Sequence, residues 1–531
     1  MPRGRLGAVG SPCRAALRGR AWGTLADVET AGAIRINGRV MAGLGLAVAV
    51  SLLLRVGALR SGYWIDEGIS VGIASHPLSD IPRALIEDGS PPLYYVLLHG
   101  WIALFGAGEA ATRSLSLLFA LATVPAAWWA ARSIFGPRAG AIAAGAAAGC
   151  PFLTLYAQET RMYSLVALLS LLASASFVLA FAQGRRSQLV PLGLWLVLLL
   201  YTHNWGLFLC AGMAAAWLVL WRRGRVAARD GLLLAAAVAV AYAPWVPSVF
   251  SQAAHTGAPW AERPSPLLLL SIPVSLFGVV ALPALAVALA RGGRLQRLDE
   301  PARVLLTVAA VAAASAWLFS QLEPAWSARY FAVLLGPLLL AFASITARGA
   351  RWTLAALALV AVVWLFSGPP PAKSNVRRVT VQLGAQLLPG DLVVSTQPEQ
   401  VPVLDRYLPE GMRYLTPLGR TGDPRVTDWR DGLHKLRHGH AAQRLEPRIA
   451  SLAPGKHVLL VTPVFKPGTA RSPWLRAVRA RTREWRAALR SDPRLVALGR
   501  APHSKVTIRR STVRAELYLV RGQPAASSSS P

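Results

Sequence analysis

The sequence predicts a polytopic α-helical membrane protein of about eleven spans, followed by an extracytoplasmic α/β domain. Three observations carry that prediction. Hydrophobic residues make up 54% of the 531 and charged residues only 15%, with a mean hydropathy of +0.42; this balance belongs to membrane proteins rather than soluble ones. Apolar runs recur near 40–59, 113–131, 139–156, 162–182, 189–201, 205–221, 231–250, 267–290, 304–320, 330–346 and 352–367, most of them approaching the ~20 residues that a spanning helix needs. Beyond 368 the apolar runs shrink to strand length and alternate with amphipathic stretches.

In chain order, residues 1–38 are basic and rich in Gly and Ala. They lack the short apolar core and cleavage site of a signal peptide and read as a cytoplasmic tail. The next segments obey a strict alternation. Arg132 and Arg138, then Arg185 and Arg186, then Arg222, Arg223, Arg225 and Arg229 fall in every second loop. Arg291, Arg294, Arg297 and Arg303, then Arg348 and Arg351, continue the series. The loops between them hold at most one Arg each: Arg161, none around His203, Arg263 and Arg329. Basic loops stay on the cytoplasmic side, so the N-terminus is expected in the cytoplasm, and the preponderance of Arg over Lys points to a bacterial plasma membrane. The net charge of +31 is thereby a topology signal, and nucleic acid is not among the expected partners. Cys13, Cys150 and Cys210 are the three cysteines, which leaves no disulfide framework and no Cys-based metal site. The segment 189–201 is short, as a tilted or broken helix beside a hydrated cavity would be.

Residues 91–105, PPLYYVLLHGWIALF, are apolar enough to span. If they crossed, every later Arg-rich loop would face outward. Parity therefore lays them along the outer interface, a level that suits Tyr94, Tyr95, His99 and Trp101. Asp66, Asp88, Glu159, His203 and Arg329 then share the outer face with everything beyond 368.

The tail opens with the Pro-rich GPPPAKSN. DLVVST (391–396), HVLLVTP (457–463) and RAELYLVRG read as strands, EQVPVLDRYL as a helix, and WLRAVRARTREWRAAL as a basic amphipathic helix facing anionic lipid or glycan. The expected division is a tail at 1–38, a membrane catalytic domain at 39–367 whose first external loop is 62–112, an α/β domain at 368–520, and a disordered end at 521–531.

Chemistry concentrates in the first external loop. Asp66-Glu67 follows Tyr63-Trp64, and a second acid pair, Glu87-Asp88, precedes Gly89-Ser90-Pro91-Pro92. Carboxylates held against a membrane are costly unless they act. An interfacial anchor with solvated acids accounts for the first pair but not for the second. The catalytic alternative is a general base beside a carboxylate that orients the acceptor or holds a divalent cation. No GxGxxG or P-loop is present for a nucleotide.

This loop, with its amphipathic helix, D-x-x-PPLYY and terminal LFG, joins AQETRMYS (157–164), YTHNW (201–205) and ARYF (328–331). The set resembles the GT-C glycosyltransferases over roughly residues 40–370, most closely bacterial members of the protein O-mannosyltransferase and lipid A aminoarabinose transferase superfamily. GDLVVSTQPEQVPVLDRYLP further resembles the exported tail of actinobacterial mannosyltransferase-like proteins. The resemblance implies a GT-C fold with Asp66 as the catalytic base. It also implies a polyprenyl-phosphate sugar donor and an extracytoplasmic glycan, lipid or protein acceptor.

Arg161 and Arg329, each alone in its loop and followed by Tyr163 and Tyr330, are candidates for the donor phosphate; Arg snorkelling from a helix end is the alternative. Gln158 and Glu159 are placed to bind sugar hydroxyls or neutralise Arg161. His203, with Asn204, breaks two apolar segments at the same level, and Asp88 and His99 complete the candidate set. His434, His438 and His440 have metal-like spacing in a charge-rich stretch that reads better as a solvated face. A lipid-linked-glycan transporter or assembly scaffold is the other class of function. Transporters carry matched repeats with polar residues at mid-membrane, whereas here the polar groups sit in the outer loops, which favours the enzyme.

The Arg alternation makes a direct prediction. Cysteine labelling in intact cells should leave positions beside Arg223 protected and modify positions near His255 and Val458. Labelling of Val458→Cys only after lysis would invert the topology.

Overall fold

Pro and Gly punctuate the first loop into a chain of short helices. The computed structural model describes residues 38–278, 286, 298–366, 372–465, 472–501 and 511–521. The basic tail, the later half of the 267–290 run with Arg291, Arg294 and Arg297, most of the Pro-rich linker and the final Ser-rich residues lie outside them. Helix α1 is Gly38–Arg55, α2 Ile65–Ala74, α3 Ile81–Asp88, α4 Leu93–Phe105 and α5 Glu109–Phe135. Pro82 sits in the first turn of α3, where its missing N–H costs nothing, and Gly89 closes that helix at φ 94°, a conformation open to glycine. Chain contacts divide Met1–Gly45 from Leu46–Pro531; all the packing described here belongs to the second unit.

Among the described residues six helical stretches are long and apolar enough to cross a membrane: Gly38–Arg55, Glu109–Phe135, Tyr163–Ala182, Ala228–His255, Glu300–Leu322 and Ala328–Phe366. Leu93–Phe105, Arg186–Leu200, Gly206–Arg222 and Pro266–Phe277 are apolar but shorter. The difference from the runs seen in sequence comes from punctuation that hydropathy does not register. The 139–156 run divides into Pro137–Ala148 and Pro151–Tyr156, because Pro151 supplies no N–H and holds Cys150 extended. The last two runs form the 39-residue stretch Ala328–Phe366, broken by a 3-10 turn at Ala347–Gly349. Helix α4, at 13 residues, is about 20 Å long, short of the ~30 Å hydrocarbon core. It buries Tyr94, Tyr95 and Leu98 and exposes Val96, Leu97, Leu104 and Phe105.

The C-terminal region holds a six-stranded sheet in the order β3-β2-β1-β4-β6-β5. Its strands are β1 Leu392–Ser395, β2 Arg413–Thr416, β3 Gly419–Arg420, β4 His457–Pro463, β5 Leu495–Arg500 and β6 Val513–Val520. Strand β1 is parallel to both β2 and β4; the other pairs are antiparallel. Alternation assigns the two faces. Val393, Leu459, Val461, Ala515 and Leu517 pack with Val376, Val379 and Val403 on one side. Leu392, Val394, Val458, Leu460 and Tyr518 meet Ala441, Ile449, Trp485 and Leu489 on the other.

The sheet does not stand apart from the first loop, since Tyr63 and Val71 belong to the same core as Val393 and Val403. His76 Nε2 lies 2.6 Å from Asp423, Arg430 lies 3.1 Å from Glu87, and the Trp429 N–H donates to the Glu87 carbonyl at 3.1 Å. Helix α2 approaches closely through Gly68 and Gly72, one turn apart. A Cβ on Gly68 would meet Val403 Cβ at 2.7 Å, and one on Gly72 would collide with the Arg425 carbonyl. Small residues spaced by four are a sequence sign of such an approach.

Gly72→Ala should therefore destabilise the protein by about 1–3 kcal/mol through overpacking against backbone. Gly100→Ala, whose Cβ meets nothing within 4 Å, should be tolerated. Thermal unfolding of the two variants in detergent compares them; equal midpoints would refute the tight α2 contact.

Candidate active site

Glu67 lies in the first turn of α2 and is fully buried. Its carboxylate takes two hydrogen bonds from Arg113 of α5, from Nε at 2.6 Å and Nη2 at 2.7 Å, and a third from the Thr160 N–H at 2.9 Å. Arg113 Nη1 also reaches the carbonyls of Ala58, Leu59 and Ser61, the last at 2.5 Å. Burial pushes the Glu67 carboxyl up, but Arg113, Lys373 and the Thr160 N–H together hold the group below the ordinary range. The second carboxylate expected beside Asp66 is thus occupied by a bidentate, buried pair that joins three segments.

Asp66, one residue earlier on the helix, points elsewhere. Its Oδ2 is ion-paired with Arg329 Nη1, and both side chains are only partly exposed. Arg161 Nη1 lies 3.0 Å from Ser70 Oγ, 3.4 Å from the Asp66 carbonyl and 3.5 Å from the Tyr95 hydroxyl. That hydroxyl lies 3.5 Å from Asp88 Oδ2, which also accepts from Ser90 Oγ at 2.8 Å. Burial raises the Asp88 carboxyl above its ordinary value, against the opposing charge of Arg161.

Of these groups Ser90 and Arg161 border a cavity of about 420 Å³, which Tyr163, His203, Trp205, Phe208 and Tyr330 also line, among others. Aromatic rings cluster in its wall: His203 and Tyr330 have ring centroids 4.8 Å apart, Trp205 and Tyr330 5.1 Å. The Arg329 guanidinium sits 4.5 Å from the Trp260 ring and 5.5 Å from Tyr330, and Arg161 5.7 Å from Tyr163. Several buried polar atoms here have no partner in the protein: Arg161 Nε, Arg329 Nε, Tyr163 Oη and Asn204 Oδ1. Three of the four carry protons, and a buried donor left unpaired is costly unless a ligand completes it. His203 Nδ1 accepts from the Trp205 N–H at 3.1 Å, so the neutral ring carries its proton on Nε2. Burial, reinforced by Arg161 and Arg329, pushes His203 down to about 3, which keeps it neutral at working pH.

The structure thus brings together Asp66, Asp88, Arg161, Tyr163, His203, Arg329 and Tyr330. It does not add the remaining candidates. Gln158 is bound on both sides, accepting from the Ala58 N–H at 2.7 Å and donating to the Thr154 carbonyl at 2.8 Å. Glu159 is fully buried and faces Lys373 at 3.4 Å rather than Arg161. His99 meets the Ala74 carbonyl at 2.9 Å, tying α4 to α2. The His434 and His438 rings lie 4.3 Å apart at a 39° tilt, and His440 contacts Glu484. Among the described residues no group of three or more His, Cys, Asp or Glu is disposed to hold a metal ion. Sequence reading missed Ser70 and Trp260, which carry no distinguishing pattern, and placed Tyr95 at the interface without a part in the site. It also missed Arg113, for which a signal existed: an Arg at the head of an apolar run is expensive unless paired.

Comparison with known proteins defines the class of fold. ArnT from Cupriavidus metallidurans in the apo state superposes with a TM-score of 0.53 at 16% identity, over 92% of this chain and 99% of that one. The same protein bound to undecaprenyl phosphate gives 0.53 at 15% identity, over 90% and 98%. The fold is that of the GT-C glycosyltransferases. Within it, residues 89–247 match the family described as dolichyl-phosphate-mannose-protein mannosyltransferase. No curated protein matches the chain in sequence.

Glu67→Gln should strand the Arg113 charge and lower stability by about 3–5 kcal/mol. Thermal unfolding and protease sensitivity of the purified protein measure it. A fully stable Glu67→Gln protein that had lost only catalysis would return Glu67 to the reacting groups.

Proposed function

We propose that this chain is an integral-membrane glycosyltransferase. It moves a mannose-like sugar from a polyprenyl-phosphate donor to an extracytoplasmic glycan, lipid or protein acceptor, by inversion, with Asp66 as general base. The observation that carries the proposal is the pairing of Asp66 with Arg329 beside an aromatic cavity, where Arg161, Arg329 and Tyr163 each leave a buried donor unpaired. The fold it shares with ArnT, one structure of which holds undecaprenyl phosphate, supports a donor of that chemistry.

The aromatic walls take the first isoprene units and the sugar face, and the unpaired donors take the phosphate. Arg329 serves two anions. When the donor phosphate draws its guanidinium away, the Asp66 carboxylate is released to accept a proton, so the base is free only when a donor is bound. The acceptor oxygen then attacks the anomeric carbon as its proton passes to Asp66. The bond from that carbon to the phosphate oxygen breaks, and its electron pair leaves with the polyprenyl phosphate. Arg161 and Arg329 stabilise the charge growing on that oxygen. Neutral His203 offers Nε2–H as a hydrogen-bond donor without adding a third charge.

Asp66→Asn should reduce turnover by roughly 10²–10⁴-fold, the worth of general base catalysis, with donor affinity kept or raised because Arg329 no longer has to leave a carboxylate. Arg329→Ala should instead weaken binding of the lipid phosphate as well as slow transfer. Transfer from a synthetic polyprenyl-phosphate mannose by purified protein in nanodiscs, with donor binding measured separately, resolves the two. Near wild-type transfer by Asp66→Asn would end the assignment of this base.

A further inference from the structure

A second cavity lies on the other side of α3. It measures about 250 Å³ and is lined by Glu87, Pro398, Val401, the segment from Thr416 to Asp428, and Lys435. The two cavities are separated by the end of one helix, with Glu87 facing this cleft while Gly89, Ser90 and Pro91 face the aromatic cavity. Asp88 stands between. The cleft sits at the carboxyl ends of the parallel strands β1 and β2, the edge where open α/β sheets place their ligands. Its floor, Pro398 and Val401, belongs to the turn that leads into Val403, and Val403 is packed on Gly68, two residues along α2 from Asp66.

The lining contrasts with that of the aromatic cavity. It has no aromatic ring, and offers three threonines, carboxylates and two cations. The carboxylates are already matched: Asp423 by Arg425 and His76, Asp428 by Arg430 and Lys435, Glu87 by Arg430. Against the effect of burial, hydrogen bonds from Arg425 and His76 keep Asp423 down at about 2, so the carboxylates are fixed as paired acceptors. Paired carboxylates and threonines at this density favour a ligand rich in hydroxyls. Two groups remain open to it: the Arg420 guanidinium in the lining, and Thr427, which is 4% exposed and whose buried hydroxyl has no partner in the protein. In the wall of the same turn, Glu399 is buried with Oε1 held by Gln397 and Trp474 while Oε2 has no partner.

We propose that this cleft is an acceptor subsite that binds a neutral carbohydrate unit, using the Thr427 hydroxyl and the paired carboxylates of Glu87, Asp423 and Asp428. It takes a single small unit, its volume falling below the roughly 300 Å³ at which drug-sized sites begin. A glycan anchored here runs past the end of α3 toward Asp66, while the lipid donor enters from the opposite cavity. The acceptor is then a glycan rather than a Ser/Thr peptide. This inference rests on the transferase reading above.

The test uses the full chain in nanodiscs and two kinds of probe. Saturation-transfer NMR with mannobiose and maltotriose reads the cleft, and binding of farnesyl phosphate reads the aromatic cavity. Gly422→Leu fills the cleft from a position where a Cβ meets nothing within 4 Å, and should abolish saccharide binding while farnesyl phosphate still binds. Thr427→Val should weaken saccharide binding by roughly 2- to 12-fold, the loss of one hydrogen bond. Binding of farnesyl phosphate without either saccharide, or saccharide binding that survives Gly422→Leu, overturns the subsite and leaves the transferase reading standing. A Ser/Thr peptide that competes for the cleft overturns the carbohydrate assignment. Saccharide binding with no affinity for farnesyl phosphate leaves the cleft but removes the lipid-phosphate donor.

Discussion

The buried pair between Glu67 and Arg113 is the constraint on which the rest of the site depends. One carboxylate and one guanidinium join the first turn of α2, the head of α5 and the Thr160 segment, and the same guanidinium collects the loop carbonyls before α2. Neither ion tolerates the loss of the other in a dry environment, so the geometry is held by the cost of breaking it. Because Glu67 and Asp66 are consecutive on a helix, they project about 100° apart. Fixing Glu67 inward therefore presents Asp66 to Arg329 and the aromatic cavity.

Around that pin the molecule separates two chemistries. The aromatic cavity has cations with open donors, as the proposed lipid-phosphate donor requires. The cleft beyond α3 is polar, with its carboxylates paired, as the proposed carbohydrate requires. The end of helix α3 and the turn after it form the wall between them, Glu87 lining the cleft and Gly89, Ser90 and Pro91 the aromatic cavity. The C-terminal sheet takes part in this division directly. It packs on Gly68 and Gly72, grips Glu87 and His76 from the 423–430 segment, and supplies Pro398 and Val401 to the cleft. A domain that looks like an appendage in sequence is here one wall of the site.

The amino-acid sequence alone determined the membrane character, the amphipathic pieces of the first loop, and the strands and helices of the tail that have clear alternation, because hydropathy and period are local properties. It also marked Asp66, Asp88, Arg161, His203 and Arg329, since charges beside apolar runs stand out by their cost. The tertiary structure decided which of these meet. No local pattern distinguishes Glu67, clamped by Arg113, from Asp66 beside it, or shows that Glu159 faces Lys373 rather than Arg161. Short β2 and β3 and the irregular β5 escaped notice for the same reason: their pairing comes from neighbours far along the chain. The contacts that define the site join residues 66 and 329, 67 and 113, and 87 and 430, and their partners are set by packing across segments, which a single sequence does not encode in any readable period.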